Sequence, residues 1–214
     1  MSAATAEKPL RSDARRNRER LVASARELLA SEGVDVSVDE ITRHAGLGMG
    51  TLYRHFPTKE ELVDAVLEDA FAELVQLAEQ AAAAEDAWAG LTGFMEQALA
   101  SHAANRGLKD VLATQEHGAR RRAMRERIQP LLRKVVERAQ AQGALRPDFT
   151  AEDLSLVFWA VGRVIQTTAD IAPQQWRRHL GFLLDGLRAS AATPLPVPAL
   201  TRRQLARAAR RKEL

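Results

Sequence analysis

The chain has no cysteine in 214 residues. That excludes a disulfide framework and the thiolate ligand sets of zinc fingers. Aromatic residues are scarce, at one Tyr, three Trp and six Phe. Alternating runs of Val, Ile and Thr are missing while Ala and Leu abound, so the expected fold class is all-α. No stretch approaches 18 uninterrupted apolar residues, and no membrane partner is expected. The opening "MSAATAEKPLRSD" lacks an apolar h-region, so no secretory leader is expected and a cytoplasmic location follows by default. The five His residues are scattered without ligand spacing, and no nucleophile–base pair or carboxylate dyad stands out. The expectation is therefore no metal, no cofactor and no catalysis.

Charge is present but unevenly spread. Residues 8–20 hold six basic and two acidic side chains, and residues 61–119 hold two and eleven. Residues 120–150 return to nine against three, and 191–214 carry six against one. A composition favouring Arg (26) over Lys (5) explains the type of cation but not its clustering. Blocks of this kind suggest separate surfaces, and a basic N-terminal arm with Arg11, Arg15, Arg16, Arg18 and Arg20 suits nucleic acid.

Helical periodicity runs through most of the chain. Leu21, Ala25, Leu28 and Leu29 place an amphipathic helix at 13–31, with Gly33 as its stop. Ser37 and Glu40 make a capping box that opens a short helix from Val38 to about Ala45, and Gly46 suits the left-handed position after it. A third helix spans about Met49 to Phe56, with Leu52 and Phe56 inward and Pro57 as terminator. Thr58 and Glu61 form a second capping box and begin a long helix that fades in "EQAAAAED". Trp88, Leu91, Met95, Leu99 and His102 form the stripe of another helix, and "NRGLKDVL" is a shorter element. Further helices are expected at 120–142, where Pro130 should kink or divide the helix, and at 151–170 and 173–190. "GALRPD" is a break. "TPLPVPAL" reads as an extended linker before the basic "TRRQLARAARRKEL", which is expected to be a solvated extension.

The stretch "GLGMGTLYRHFPTKEEL" at 46–62 is the most informative. Its G-x-G-x-G echoes a phosphate-cradling loop, but such loops follow a strand in a βαβ unit and no strand precedes this one. A local turn accounts for Gly46 and Gly48 but not for outward Thr51, Tyr53, Arg54, His55 and Lys59. Two short helices joined by a tight turn and braced by a longer one make a helix-turn-helix, whose second helix enters the DNA major groove. Thr, Tyr and Lys would hold phosphate oxygens, while Met49, Gly50, Arg54 and His55 approach base edges.

From about Arg15 to Leu67, "VSVDEITRHAGLGMGTLYRHFPTKEELVDAVL" and its flanks resemble the TetR family of transcriptional regulators. The T-L-Y-x-H-F core with a Lys three residues after the Phe carries the likeness. The resemblance implies a homodimer reading a palindromic double-stranded DNA operator, and a C-terminal helical domain that dimerises and binds a small-molecule effector, releasing DNA. By position, Thr51, Tyr53, His55 and Lys59 match family DNA contacts, as do Val38 and Asp39. Asp39 is acidic, so only its backbone N–H is expected to serve. Met49, Gly50 and Arg54 vary in the family as base readers should, and Arg15 and Arg16 join this set through the arm's charge. The stretch "LVFWAVGRVIQTTADIAPQQWRRHLGFLLDGLRAS" is similar to the end of a TetR subgroup common in actinobacteria.

The implied organisation is a basic flexible arm (1–14), a helix-turn-helix domain (15–60), a helical effector-binding and dimerisation domain (61–190), and a Pro-containing linker with a basic tail (191–214). Helix 151–170 is apolar on two faces; a dimer four-helix bundle with 173–190, or packing within one chain, would cover the second. Gly162 would permit close helix approach. Effector-binding candidates are Trp88, Met95, His102, His117, Phe158 and Gln166, each of which has core packing or solvent as its ordinary alternative. An activator, a regulator without ligand, and a small-molecule-binding or enzymatic helical protein with a vestigial helix-turn-helix are the competing functions. Removal of residues 1–14 is expected to weaken DNA binding and flatten its salt dependence. An unchanged slope of log affinity against log salt would rule the arm out as a DNA contact.

Overall fold

The two short helices expected between Ser37 and Phe56 have local start and stop signals, and the computed structural model shows how they are closed. The structure describes residues 7–33, 35–105 and 118–211. Its helices are α1 (Glu7–Glu32), α2 (Val38–Ala45), α3 (Met49–His55), α4 (Lys59–Ala83), α5 (Ala87–Ala104), α6 (Gly118–Ala141), α7 (Ala151–Thr168), α8 (Gln175–Leu187) and α9 (Arg202–Arg211). No strand occurs among the described residues, only an isolated antiparallel bridge between Leu145 and Arg188. The "NRGLKDVL" element and His117 lie outside the described residues, apart from Asn105. No helix among the described residues is long and apolar enough to cross a membrane.

The chain divides into two units, residues 1–72 with 105–114 and residues 73–104 with 115–214, so that one of the boundaries falls inside α4. In the first, α2 and α3 both pack on α1. Leu21, Leu29, Ile41, Leu52, Leu62 and Leu67 are among its fully buried side chains. The Ser37–Glu40 capping box is complete: Glu40 N donates to Ser37 Oγ at 3.2 Å, and Ser37 N donates to the Glu40 carboxylate at 2.8 Å. Glu40 consequently sits below its ordinary pKa, chiefly through the hydrogen bonds from Ser37, with the Arg43 and Lys59 charges adding. At the other end of α2, Gly46 adopts φ +62°, its N–H reaching Arg43 O while Leu47 N reaches Thr42 O at 2.9 Å. These two bonds form a Schellman closure. α1 begins at Glu7, six residues before the expected start, so residues 7–14 are helical rather than a flexible arm. The Ser-Asp pair at 12–13 resembles a start signal, but the helix continues upstream of it.

The second unit is a helical bundle with one contiguous core. α5 packs on α6, α7 and α8, and α7 packs on α8. Leu91, Met95, Leu99, Val135, Leu154, Val161 and Trp176 lie in that core. Pro130 stands within α6, which runs unbroken from Gly118 to Ala141, so it does not divide the helix. The break "GALRPD" holds a feature that periodicity does not reveal. Arg146 is buried, forks onto both oxygens of Asp148, and donates to Gly186 O at 3.3 Å and Thr193 O at 2.7 Å. One guanidinium thus ties the break to the end of α8 and to the Pro-containing linker. Asp148 is held below its ordinary pKa by that hydrogen-bonded fork. The basic tail is also not a loose extension. Thr201 and Gln204 form a capping box, and Leu205 is buried.

Two outcomes follow from the closures of α2. Replacing Gly46 by Ala forces a side chain into a left-handed conformation and brings its Cβ to 3.1 Å from the Arg20 guanidinium. A loss of about 1–2 kcal/mol in urea denaturation is expected. For Glu40 the folded pKa lies below the unfolded one, so the cap's contribution is full above about pH 4.3 and is lost as pH falls through the lowered value. The urea midpoint of the wild type should therefore exceed that of Glu40→Gln at pH 7, and the gap should close as pH falls through the lowered folded value.

Candidate nucleic-acid interface

The helix-turn-helix is built by burying one side of a very short helix. Leu52 is completely buried and Phe56 is 3% exposed, four residues on. Phe56 N donates to Leu52 O at 2.8 Å and closes α3 where Pro57 stops it. The opposite side is left open. Gly50, Tyr53 and Arg54 are exposed, Tyr53 to 49%, while Thr51, His55 and Lys59 are half-buried. At the start of α2, Asp39 is exposed and Val38 packs partly against the core of the first unit.

Several residues expected to act alike are placed differently. Met49 is half-buried, and its sulfur lies 3.5 Å from the buried Thr42 hydroxyl, which also has Asp39 O as an acceptor at 3.0 Å. It works as a joint between α2 and α3, leaving Gly50 and Arg54 as the outward pair from the base-reading set. His55 turns its Nε2 into a buried position where it has no hydrogen-bond partner among the described residues, so that nitrogen is withdrawn from the surface. The cause is its place beside Phe56, whose ring lies 6.5 Å from the imidazole as the chain leaves the helix.

The arginines of α1 divide in the same way. Arg15 and Arg16 are exposed and pair with Glu19 and Asp13. Arg18 lies over the Phe56 ring at 5.2 Å, and Arg20 donates to Ala45 O. Arg20 thereby satisfies a carbonyl at the open end of α2, a group that a helix cannot satisfy internally. His44 is tied to Glu27 of α1 at 2.8 Å. These braces are not apparent in the sequence, because each joins residues 17 or more positions apart. The only available signal is the need of the last α2 carbonyls for donors.

In the second unit, the expected effector residues do not form one group. Trp88 and Met95 are buried in the core, Trp88 beneath the Arg188 guanidinium at 4.3 Å. Phe158 packs partly against the same core, edge-on to Phe94 at 5.9 Å. His102 is half-buried and lies against Gly162, where a Cβ would stand 3.5 Å from its Nε2. Gly162 is buried within its own chain beside this side chain of α5, at a distance where a Cβ would make ordinary contact. Gln166 is exposed with Arg163 and Thr167, because Val161 and Ile165 take the inward positions of α7. A cleft of about 600 Å³ lies elsewhere, between Asp148, Asp153 and Leu156 and the linker from Leu195 to Leu200. No cluster of metal-ligating side chains occurs among the described residues.

Comparison with known proteins accounts for both units. Residues 21–66 match the family described as bacterial regulatory proteins, tetR family, and residues 86–189 match the C-terminal domain of SbtR-like transcriptional regulators. An HTH-type transcriptional regulator of Staphylococcus aureus (strain USA300) is 43% identical over 60 residues, 28% of this chain. The chain spans about a third, 32%, of the length of that curated relative. The regulator RolR, solved in complex with the ligand resorcinol, is 25% identical with a TM-score of 0.50, over 87% of this chain and 98% of RolR. A TetR transcription regulatory protein from Mycobacterium vanbaalenii is 34% identical with a TM-score of 0.65, covering 84% of this chain and 99% of its own. With a helix-turn-helix presented on the first unit and regulator relatives across both, the chain belongs to the TetR family of transcriptional regulators: a DNA-binding protein, not an enzyme.

Proposed function

We propose that this regulator is a repressor that binds a palindromic operator as a homodimer in the cytoplasm and leaves it when a small molecule occupies the second unit. The observation that carries the DNA half is the division of α3, with Leu52 and Phe56 buried and Gly50, Tyr53 and Arg54 outward. In the proposed complex, Tyr53, Thr51 and Lys59 hold phosphate oxygens and fix the docking register. Arg54 reads a base edge, with guanine as its bidentate partner, and Gly50 lets the backbone approach. Val38 and Asp39 contribute backbone N–H groups at the start of α2. His55 supports the helix from its half-buried position, and Arg15 and Arg16 add charge along α1.

The effector half rests on two supports. The second unit matches an SbtR-like C-terminal domain, and RolR, a relative of similar fold, is solved with resorcinol bound. Among the candidate residues, His102 and Phe158 are half-buried rather than sealed, so they are better placed to meet a ligand than Met95. The dimer surface in this reading uses the outer sides of α7 and α8, where Phe182 is 58% exposed.

Tyr53→Ala and Lys59→Ala are each expected to weaken duplex binding roughly tenfold, in line with the removal of one charged or polar phosphate contact. Lys59→Ala should also reduce the salt slope by about 0.9, for the one phosphate it no longer neutralises. Sedimentation should show the oligomeric state unchanged in both. Full DNA binding by the two variants would remove these side chains from the interface.

A further inference from the structure

The C-terminal helix α9 carries a charge pattern that the helix-turn-helix does not use. Its sequence, "RRQLARAARR", places Arg203 and Arg207 four residues apart, on one side of a helix, with Arg202 exposed in the first turn about 100° round from Arg203. Leu205 is 4% exposed, Ala206, Ala208 and Ala209 are half-buried, and Arg202, Arg203 and Arg207 are exposed. The helix therefore has an apolar side that is packed and a cationic side that faces solvent.

Order at its start distinguishes α9 from a loose basic tail. Gln204 N donates to Thr201 Oγ1 at 3.3 Å and Thr201 N donates to Gln204 Oε1 at 2.9 Å, which closes the first turn. The preceding linker is pinned where Arg146 donates to Thr193 O. A helix with a closed first turn loses little further backbone freedom on binding, so the points from which its arginines project are set in advance.

Those arginines also stand in no cation–carboxylate pair among the described residues, a state they share with exposed Arg125, Arg127 and Arg163. Elsewhere in the second unit Arg133 pairs with Glu152, Arg146 with Asp148 and Arg177 with Glu96, and Arg138 donates to three carbonyls. Arg178 and Arg188 lie over aromatic rings. Arg202, Arg203 and Arg207 make no ion pair among the described residues. Concentrated cations that form no ion pair among the described residues fit a polyanion with closely and regularly spaced charges. Duplex DNA presents one negative charge per about 1.7 Å of axis, and guanidinium forks match phosphate oxygens.

We infer that α9 is a second DNA-binding surface, contacting the phosphate backbone of duplex DNA without reading its sequence. The inference rests on the chain being a DNA-binding regulator, and it assigns the basic tail a role separate from that of α3. Contacts of this kind raise affinity and on-rate at low salt, and they fade as salt rises.

The test measures anisotropy of a fluorescein-labelled duplex of random sequence, roughly 30 base pairs long, from about 50 to about 200 mM salt. The full-length wild type is compared with the triple variant Arg202→Gln, Arg203→Gln, Arg207→Gln, and separately with Tyr53→Ala, Lys59→Ala. Leu205 is left intact and circular dichroism checks that the helices persist. The triple variant is expected to bind more weakly at low salt. Its slope should be shallower by about 0.9 for each phosphate no longer neutralised, summing to about 2–3 for one chain. An unchanged slope and affinity in the triple variant would overturn the inference. So would retention of duplex binding with loss of binding to vesicles of phosphatidylglycerol and phosphatidylcholine, which would make the partner a membrane. Undiminished binding by the Tyr53, Lys59 variant would instead count against the helix-turn-helix reading, leaving the result for α9 to be judged on its own slope.

Discussion

A helix of seven residues cannot hold itself together in water, because the nucleation cost of its first turn is never recovered over so short a length. The helix α3 exists because Leu52 and Phe56 are fixed in the core of the first unit. That single dependence organises its surroundings. The Schellman closure at Gly46 sets the direction in which the chain leaves α2, and Leu47 packs on the core as it does so. Arg20 and His44 then tie α2 to α1. With two side chains holding the helix, its exposed positions are free of any packing duty, and a groove-reading surface becomes available on a small scaffold.

The second unit relies on arginine in a different manner. Arg138 of α6 donates to Ala82 O, Ala84 O and Glu85 O, and Gln142 accepts from Ala87 N while donating to Glu85 O. Together they satisfy the end of α4 and the start of α5. A lysine could not replace this fork, since its ammonium is a compact point charge rather than a planar set of donors. Arg146 does the same for the break after α6. The excess of Arg over Lys therefore has a structural use here as well as an electrostatic one.

Much of the first unit is legible in the sequence because its determinants are local. Capping boxes, a glycine after a helix and a proline at a helix end act over three or four residues, and they place α2 and α3 closely. The outward set at Tyr53 and Arg54 follows from the inward pair. What the sequence hides depends on distant partners: the withdrawal of Met49 onto Thr42, the use of Arg18 and Arg20 as braces, and the burial of Arg146. Periodicity correctly marks the stripe of Trp88, Met95 and His102 but not its use. An apolar stripe has the same spacing whether it is sealed, as at Met95, or half-open, as at His102. Gly162 suggests close helix approach because sequence shows only that a side chain is missing, not which neighbour fills the space. The order of the tail is hidden for a related reason, since a single Leu205 among arginines is a weak anchor signal until its burial is seen.

The clamp formed by Arg138 also fixes an order in time. Its partners at the end of α4 lie 53 to 56 residues earlier in the chain. During synthesis that helix end has no donor until α6 has left the ribosome, whereas the braces of α2 lie no more than 25 residues away. Domains tend to fold from the N-terminus as they emerge. The braces of the DNA-reading unit can thus form while the clamp of the second unit has yet to be made. A product truncated within α5 would carry the braces of α2 but leave the carbonyls at the end of α4 to water.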